Sequence, residues 1–361
     1  MMGDQDPIKA IAKQVFKLIL KNKVMEKNRE KKQFIESVGI DVSKLTLDVF
    51  LYNKKEHKQF ANTGKGFVAM QKWIKGEVGN LEEVIYCFEH TGWYCILLSH
   101  FLHEQCVFYC CINPLEIKRS IGFRRGKSDK TDSYEIARFA WLRKEELNPS
   151  LPMSKKLIEL QRLMSLREQL VKQSTALKNL EKGMRVTMEK LTGDVAVKVI
   201  KQSLKQMEVQ IAKVEKSMDE LIKTEPKMQN NYKLSRSVKG VGKVLAIQMI
   251  LHTHDYTRFG VWREFSAYCG LVPYPYQSGT SINGRRKINS ISDKKMKSLL
   301  SMSAISAIQH DAELKMYYQK RVEEGKHKMI ALNIIRNKIV SRIFATVKRG
   351  TPYVELNKFA A

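Results

Sequence analysis

Four carboxylates in this 361-residue chain occupy positions where an acid needs a reason. Asp41 lies inside the apolar run Ser37-Val-Gly-Ile-Asp-Val-Ser43, and Glu89 ends a second run, Glu83-Val-Ile-Tyr-Cys-Phe-Glu89. Asp129 and Asp132 open a helical pattern whose apolar face continues through Ile136 and Phe139, which places both carboxylates on its core side. A buried carboxylate without a partner is strongly destabilising or takes up a proton. Four gathered at one point would repel one another unless a divalent cation neutralised them. Oxygen-only donors select Mg²⁺ or Mn²⁺, the ions that serve in-line attack on phosphodiesters. Taken singly, each acid reads better as a cap or a surface charge than as a ligand, and Asp129 as a charge favouring a helix N-terminus. It is their order, on a first strand, a fourth strand and a last helix, that joins them.

A second candidate is Ser278, in Pro273-Tyr-Pro-Tyr-Gln-Ser-Gly279. This stretch reads as a loop in which the adjacent glycine lets backbone and phosphate approach closely. Ser281 is the neighbouring alternative, and a loop serine is ordinarily a turn former. Arg285, Arg286 and Lys287 follow, then Lys294, Lys295 and Lys297, a concentration of charge suited to a nucleic-acid backbone. Lys239 and Lys243 flank Gly-Val-Gly in Val238–Ala246, a segment resembling the glycine turn of a helix-hairpin-helix, where backbone amides and a lysine meet a phosphate; a simple tight turn fits equally. Arg124 and Arg125 are grouped with these as nucleic-acid contacts. The rings of Trp93, Trp262, Tyr274 and Tyr276 suit base stacking or, for the tryptophans above all, core packing.

Bulk composition points the same way. Lys and Arg number 64 against 37 Asp and Glu, a net charge of +27 with a sequence pI near 9.7, and such a surplus calls for a polyanion. Hydrophobic residues at 43% are enough to build cores, which excludes wholesale disorder. No apolar run approaches the roughly 18 residues of a membrane span, and the first residues lack a signal-peptide pattern. The expected setting is therefore the cytoplasm, with nucleic acid and not a membrane as partner. The six cysteines form no CxxC pair and lie mostly in apolar stretches, the pattern of reduced, buried thiols. His252 and His254 form an HxH without ligand partners at zinc spacing.

These residues need elements to hold them. Residues 1–33 read as a lysine-rich leader. From about Glu36 the pattern is strand-like: the run Ser37–Ser43, a return strand Leu45–Tyr52 alternating with period two, a third strand near Phe60–Asn62, a helix near Gly64–Lys75, the strand Glu83–Glu89, a helix from Gly92 to His103, and the strand Cys106–Ile112. Three strands, a helix, then strand-helix-strand is the order of an RNase H-like α/β domain, expected over 34–150. Over 151–230, Leu163, Leu170, Leu177, Met184 and Leu191 recur every seventh residue. After Thr192-Gly193-Asp194, Leu204, Met207, Ile211, Val214, Met218 and Leu221 alternate by three and four, until Pro226. Two such seams predict an antiparallel helical hairpin or a coiled coil between subunits. Residues 231–361 read as a small, mainly helical domain.

The motifs taken together resemble a known family. Ile40-Asp41-Val-Ser-Lys44, Glu89-His-Thr-Gly-Trp-Tyr94, Asn113-Pro114 and Lys127-Ser-Asp-Lys-Thr-Asp132 resemble the successive motifs of the DEDD transposases of the insertion-sequence family one-ten, relatives of the Piv invertase. Lys239-Gly-Val-Gly242, Arg258-Phe259, Phe265-Ser-Ala-Tyr-Cys-Gly-Leu-Val-Pro273 and Gln277-Ser-Gly279 resemble the companion domain, so that the likeness runs over about 36–350. The resemblance implies a RuvC-like catalytic domain, a coiled-coil spacer and a C-terminal transposase domain. It implies that Asp41, Glu89, Asp129 and Asp132 hold Mg²⁺ or Mn²⁺ and that Ser278 is the nucleophile. It further implies donor and target DNA as substrates, a structured non-coding bridge RNA as guide, and a homo-oligomer, dimer or tetramer. On the residues alone, two other readings stay open: a hydrolytic RuvC-like nuclease acting on branched DNA, and a non-catalytic RNA-binding protein.

Overall fold

The computed structural model describes residues 33–121, 128–187, 195–278, 282–288 and 291–354. The leader, Arg124, Arg125, Ser281, Leu191 and the turn at 192–194 lie outside the described residues. The chain divides into two compact units, Met1–Met153 and Ser154–Ala361.

The first unit is built on a mixed sheet. Strands β1 (Glu36–Val42), β2 (Thr46–Leu51) and β3 (Glu56–Ala61) form an antiparallel meander, followed by helix α1 (Gly64–Val78), β4 (Val84–Glu89), α2 (Ile96–Glu104), β5 (Phe108–Ile112), α3 (Pro114–Ile121) and α4 (Asp129–Leu142). The sheet order is β3-β2-β1-β4-β5, with β4 and β5 parallel to β1. Period-two alternation sorts the side chains. Val38, Ile40 and Val42 pack with Leu47, Val49, Tyr86 and Phe88 beneath α1 and α2. The opposite face, carrying Ile85, Cys87 and Cys110, is closed by Ile136, Phe139 and Ala140 of α4. Gly39 explains how closely α4 approaches: a methyl group there would stand 2.1 Å from the Ser133 carbonyl oxygen and 2.2 Å from the Ala137 amide nitrogen. The helix backbone lies directly on β1, and the Ser37 hydroxyl donates to the Ala137 carbonyl at 2.8 Å.

Two boundaries differ most from the sequence pattern. The third strand runs Glu56–Ala61 instead of Phe60–Asn62, because an edge strand with Glu56, Lys58 and Gln59 exposed hides its alternation. The helix expected from Gly92 starts at Ile96, after a turn that includes Gly92 at φ +69°.

The second unit opens with two long helices, α5 (Lys155–Thr187) and α6 (Val195–Lys223). Arg167 meets Glu215 at 2.6 Å and Lys178 meets Glu208 at 3.6 Å, so one number rises as the other falls and the pair is antiparallel. Of the second seam, Leu204, Val214, Met218 and Leu221 are buried. Leu163, Leu170, Leu177 and Met184 on α5 are only half-buried. Pro226 ends the seam and opens α7 (Pro226–Arg236), where its missing N–H is no loss. Then follow α8 (Lys243–His252), α9 (Trp262–Tyr268), a two-stranded ribbon β6 (Pro273–Ser278) and β7 (Ile282–Ile288), and α10 (Lys294–His310), α11 (Ala312–Glu323) and α12 (Lys328–Arg349). Leu245, Met249, Phe265, Leu300, Ile335 and Ile339 centre its core.

The ribbon is a correction, since Pro273–Gly279 reads as a loop. Two prolines break the strand pattern, and the ladder accommodates them with a register shift between Tyr274 and Tyr276, around Pro275, which has no N–H to give. No helix among the described residues is long and apolar enough to cross a membrane.

Candidate active site

Register places the acids of the first unit. Ile40 on β1 pairs with Phe88 on β4, so Asp41 and Glu89 are the next residue on each of two parallel neighbours. Adjacent strands lie about 5 Å apart. Both acids fall on the face that α4 covers, because Gly39 and Cys87, two residues earlier, face it. Helix α4 starts over the same end of the sheet. Ser133, whose carbonyl approaches Gly39, follows Asp132 directly. Ser128 caps this helix by accepting from the Thr131 amide at 3.2 Å. Asp41, Glu89 and Asp132 are therefore brought to one end of one sheet by three separate elements.

Their burial corrects the sequence reading. Asp41, Glu89 and Asp132 are half-buried and Asp129 is exposed. Asp129 stands at the first helical position, one turn before the buried stripe that begins at Ser133, so it lies on the same face but in solvent, ahead of the buried part of the helix. Among the described residues no group of three or more His, Cys, Asp or Glu side chains is gathered closely enough to hold a metal ion. The arrangement is open: carboxylates share an edge without forming a closed cage.

Two neighbours escaped the sequence reading. Asp48 on β2 is the direct cross-strand partner of Asp41. It is 5% exposed, with its oxygens 3.1 Å from the His57 Nε2 and 3.0 Å from the Gln59 Nε2. Like charges directly opposite on a ladder repel, and these two donors are what hold Asp48 in place. Its signal was present in the alternation of β2, where it breaks an otherwise apolar strand. Asn62 donates from its Nδ2 to the Ser43 carbonyl at 2.8 Å and the Tyr94 carbonyl at 3.1 Å. It thereby ties the loop leaving Asp41 to the loop leaving Glu89, a long-range bridge with no local signature.

In the second unit, Ser278 is the last residue of β6 and pairs with Ile282, at the closed end of the ribbon. Arg285, Arg286 and Lys287 are successive positions of β7, with Lys287 opposite Tyr274. The glycine turn joins α7 to α8. Gly240 takes φ +84°, and a methyl there would meet the Ser303 carbonyl oxygen at 2.5 Å, so its glycine is required by packing on α10. Lys239 on this turn is exposed. Lys243 is engaged within the fold, its Nζ donating to the Asp219 carboxylate at 2.7 Å and the Glu215 carbonyl at 3.2 Å. His252 of the HxH contacts the Tyr268 hydroxyl at 3.0 Å and Asp293 at 3.6 Å. The six cysteines are free, four of them buried, and burial pushes the Cys110 thiol up to about 12.

Comparison with known proteins accords with this picture. A transposase family model of the IS110 DEDD class matches residues 38–184, and the model for the IS116/IS110/IS902 transposase family matches residues 232–319. The pilin gene-inverting protein of Moraxella bovis is 26% identical over 328 residues, spanning 88% of this chain and 97% of that protein. Its counterpart in Moraxella lacunata is likewise 26% identical over 328 residues. An uncharacterized protein of insertion element IS110 from Streptomyces coelicolor is 28% identical over 163 residues, covering 45% of this chain and 39% of that protein.

Proposed function

The chain belongs to the IS110 family of transposases, and from that premise we propose an insertion-sequence recombinase that cuts and rejoins DNA through a carboxylate–metal site and a serine nucleophile. The observation that carries this reading is the convergence of Asp41, Glu89 and Asp132 at one end of a sheet whose order, β3-β2-β1-β4-β5, is that of an RNase H-like (RuvC-like) domain. Asp41, Glu89 and Asp132, with Asp129 beside them, are the residues that would hold Mg²⁺ or Mn²⁺. Such an ion, when bound, stabilises charge developing on a phosphate under attack.

Ser278 is the proposed nucleophile. Its Oγ forms a bond to phosphorus as the bond to the leaving deoxyribose oxygen breaks. The hydroxyl proton passes to a base, and the leaving oxygen takes up a proton. The phosphodiester energy is kept in the serine ester for a second transfer, in which a DNA hydroxyl displaces Ser278. A serine hydroxyl is a weak nucleophile and needs activation, so the reaction requires the acids and Ser278 to serve one phosphate, from one subunit or from two. Arg285, Arg286, Lys287 and Lys239 supply charge for the backbone, with Arg124 and Arg125 as further contacts. Lys243 is assigned a supporting role through its ion pair.

The four-part organisation, 1–33, 34–150, 151–230 and 231–361, belongs to the same proposal, with the helical hairpin joining subunits into a dimer or tetramer and a bridge RNA selecting donor and target. As with the pilin gene-inverting relatives, the product would be rearranged DNA. Asp41→Asn and Asp132→Asn test the metal site. Each should abolish strand cleavage and remove the thermal stabilisation that Mg²⁺ gives the wild type by mass action, while DNA binding persists. Full cleavage by either variant, or by the wild type in excess chelator, would refute it.

A further inference from the structure

Two arginines of α12 withdrawn from solvent are treated differently by the fold. Arg342 on α12 shows the ordinary solution: it meets the buried Asp311 at 2.7 Å and Glu313 at 2.8 Å. Arg336, on the same helix, is 4% exposed and has neither. Its Nη1 donates to the Asn333 Oδ1 at 3.3 Å, and its Nε is buried without a hydrogen-bond partner among the described residues. A second cation feels its charge. Lys297 on α10, half-buried, is lowered from its ordinary range by burial and then by Arg336. Burial alone lowers Arg336. A buried guanidinium with an orphaned nitrogen and no carboxylate partner, repelled by a second positive charge, destabilises a fold unless an anion joins it.

The place of this pair in the fold says which anion. Asn333 and Asn337, on the same helix as Arg336, donate to the Leu271 carbonyl at 2.7 and 3.4 Å. Leu271 precedes Pro273, the first residue of β6, by two positions. The pair therefore lies at the root of the ribbon that carries Ser278 at its far end. A planar guanidinium fork matches phosphate oxygens two at a time, and a lysine adds a point charge.

We infer that Arg336 and Lys297 form a phosphate-binding pocket at the root of the β6–β7 ribbon, for a backbone phosphate of the nucleic acid on which the protein acts. Five residue steps from Pro273 to Ser278 span about 17 Å of strand. At 3.4 Å per base pair that is about five steps along a duplex. The pocket grips a flanking phosphate, not the scissile one. It fixes how far along the strand Ser278 is set down. The identity of the polyanion rests on the proposed function; the need for an anion rests on the buried Arg336 and its unpartnered Nε.

The experiment uses the full chain and a fluorescein-labelled duplex, with affinity followed by anisotropy over a salt series. Arg336→Met keeps the bulk and removes the charge. It should leave the melting temperature of the free protein unchanged or raise it, because an unpaired buried cation is gone. It should weaken duplex binding about tenfold and flatten the log–log salt slope by about 0.9. Lys297→Met, at a half-buried position, should flatten the slope similarly and covers the case in which Arg336→Met does not fold. A lower melting temperature with an unchanged slope in both variants would make the pair structural and overturn the inference. A second arm adds inorganic phosphate alone. Stabilisation of the wild type by phosphate, lost in Arg336→Met while the duplex slope stays the same, would assign the pocket to a small anion and equally overturn it. Wild-type binding with no salt dependence would instead remove the nucleic-acid function itself.

Discussion

Gly39→Ala is the most informative single change in the first unit, because it adds one carbon where helix and strand touch. The new methyl would stand 2.1 Å from the Ser133 oxygen, whereas ordinary contact begins at 3.4 Å, so α4 must withdraw by about 1.3 Å. Overpacking of this kind costs about 1–3 kcal/mol. The Ser37–Ala137 bond, 2.8 Å long in the wild type, would stretch and forfeit about 1 kcal/mol more. A loss of about 2–4 kcal/mol is a large part of a domain's stability and lowers its melting temperature on the order of 10 °C. Function should suffer further, since Asp132 precedes Ser133 and moves with it while Asp41 and Glu89 stay on the sheet. Calorimetry gives the first effect. Strand-cleavage rates, taken well below both melting points, give the second. A melting point within about 2 °C of wild type, together with wild-type cleavage, would show that α4 does not rest on β1 through Gly39 and that Asp132 is not placed by that contact.

Other expectations follow from the second unit. Replacing Leu170 and Leu177 with Asp, at half-buried positions of α5, should give smaller particles in light scattering that bind DNA but cannot complete recombination; an unchanged oligomer would confine the seam to one subunit. Burial holds the His252 imidazole below its ordinary value of about 6.5, ahead of the opposing pull of Asp293. The fold thus prefers the neutral ring, so this contribution to stability is present above about pH 6.5 and lost as pH falls. His252→Gln should therefore flatten the fall in melting temperature between about pH 7 and about pH 5, and an unaltered profile would contradict it.

Much of the first unit was legible because its signals are local. Alternation in Leu45–Tyr52 marks β2, and the apolar runs ending at Val42 and Glu89 mark the parallel pair beneath the acids. What sequence could not supply was register. The pairing of Ile40 with Phe88 sets Asp41 beside Glu89, and that of Asp41 with Asp48 adds a buried carboxylate beside the half-buried ones. The exposure of Asp129 is hidden from the sequence for a related reason. A helical repeat gives the face but not where the sheet ends, and at its first position Asp129 stands in solvent. In the second unit the heptads on α5 and α6 announced the hairpin, whereas the ribbon was hidden by Pro273 and Pro275, residues that ordinarily argue against a strand. Arg336 gave no signal at all. An arginine in a helix is unremarkable until its burial and its missing partner are seen.

The central claim is that DNA is cut by transfer to Ser278 and not to water. The direct measurement is to incubate the protein with end-labelled recombination substrate and Mg²⁺, denature it, and ask whether label remains covalently attached to the polypeptide. The account predicts a labelled adduct that Ser278→Ala loses and Ser281→Ala retains, and that Asp41→Asn fails to form although it binds the same DNA. Cleavage by Ser278→Ala at the wild-type rate, leaving free ends and no adduct, would contradict it and make the protein a hydrolytic nuclease.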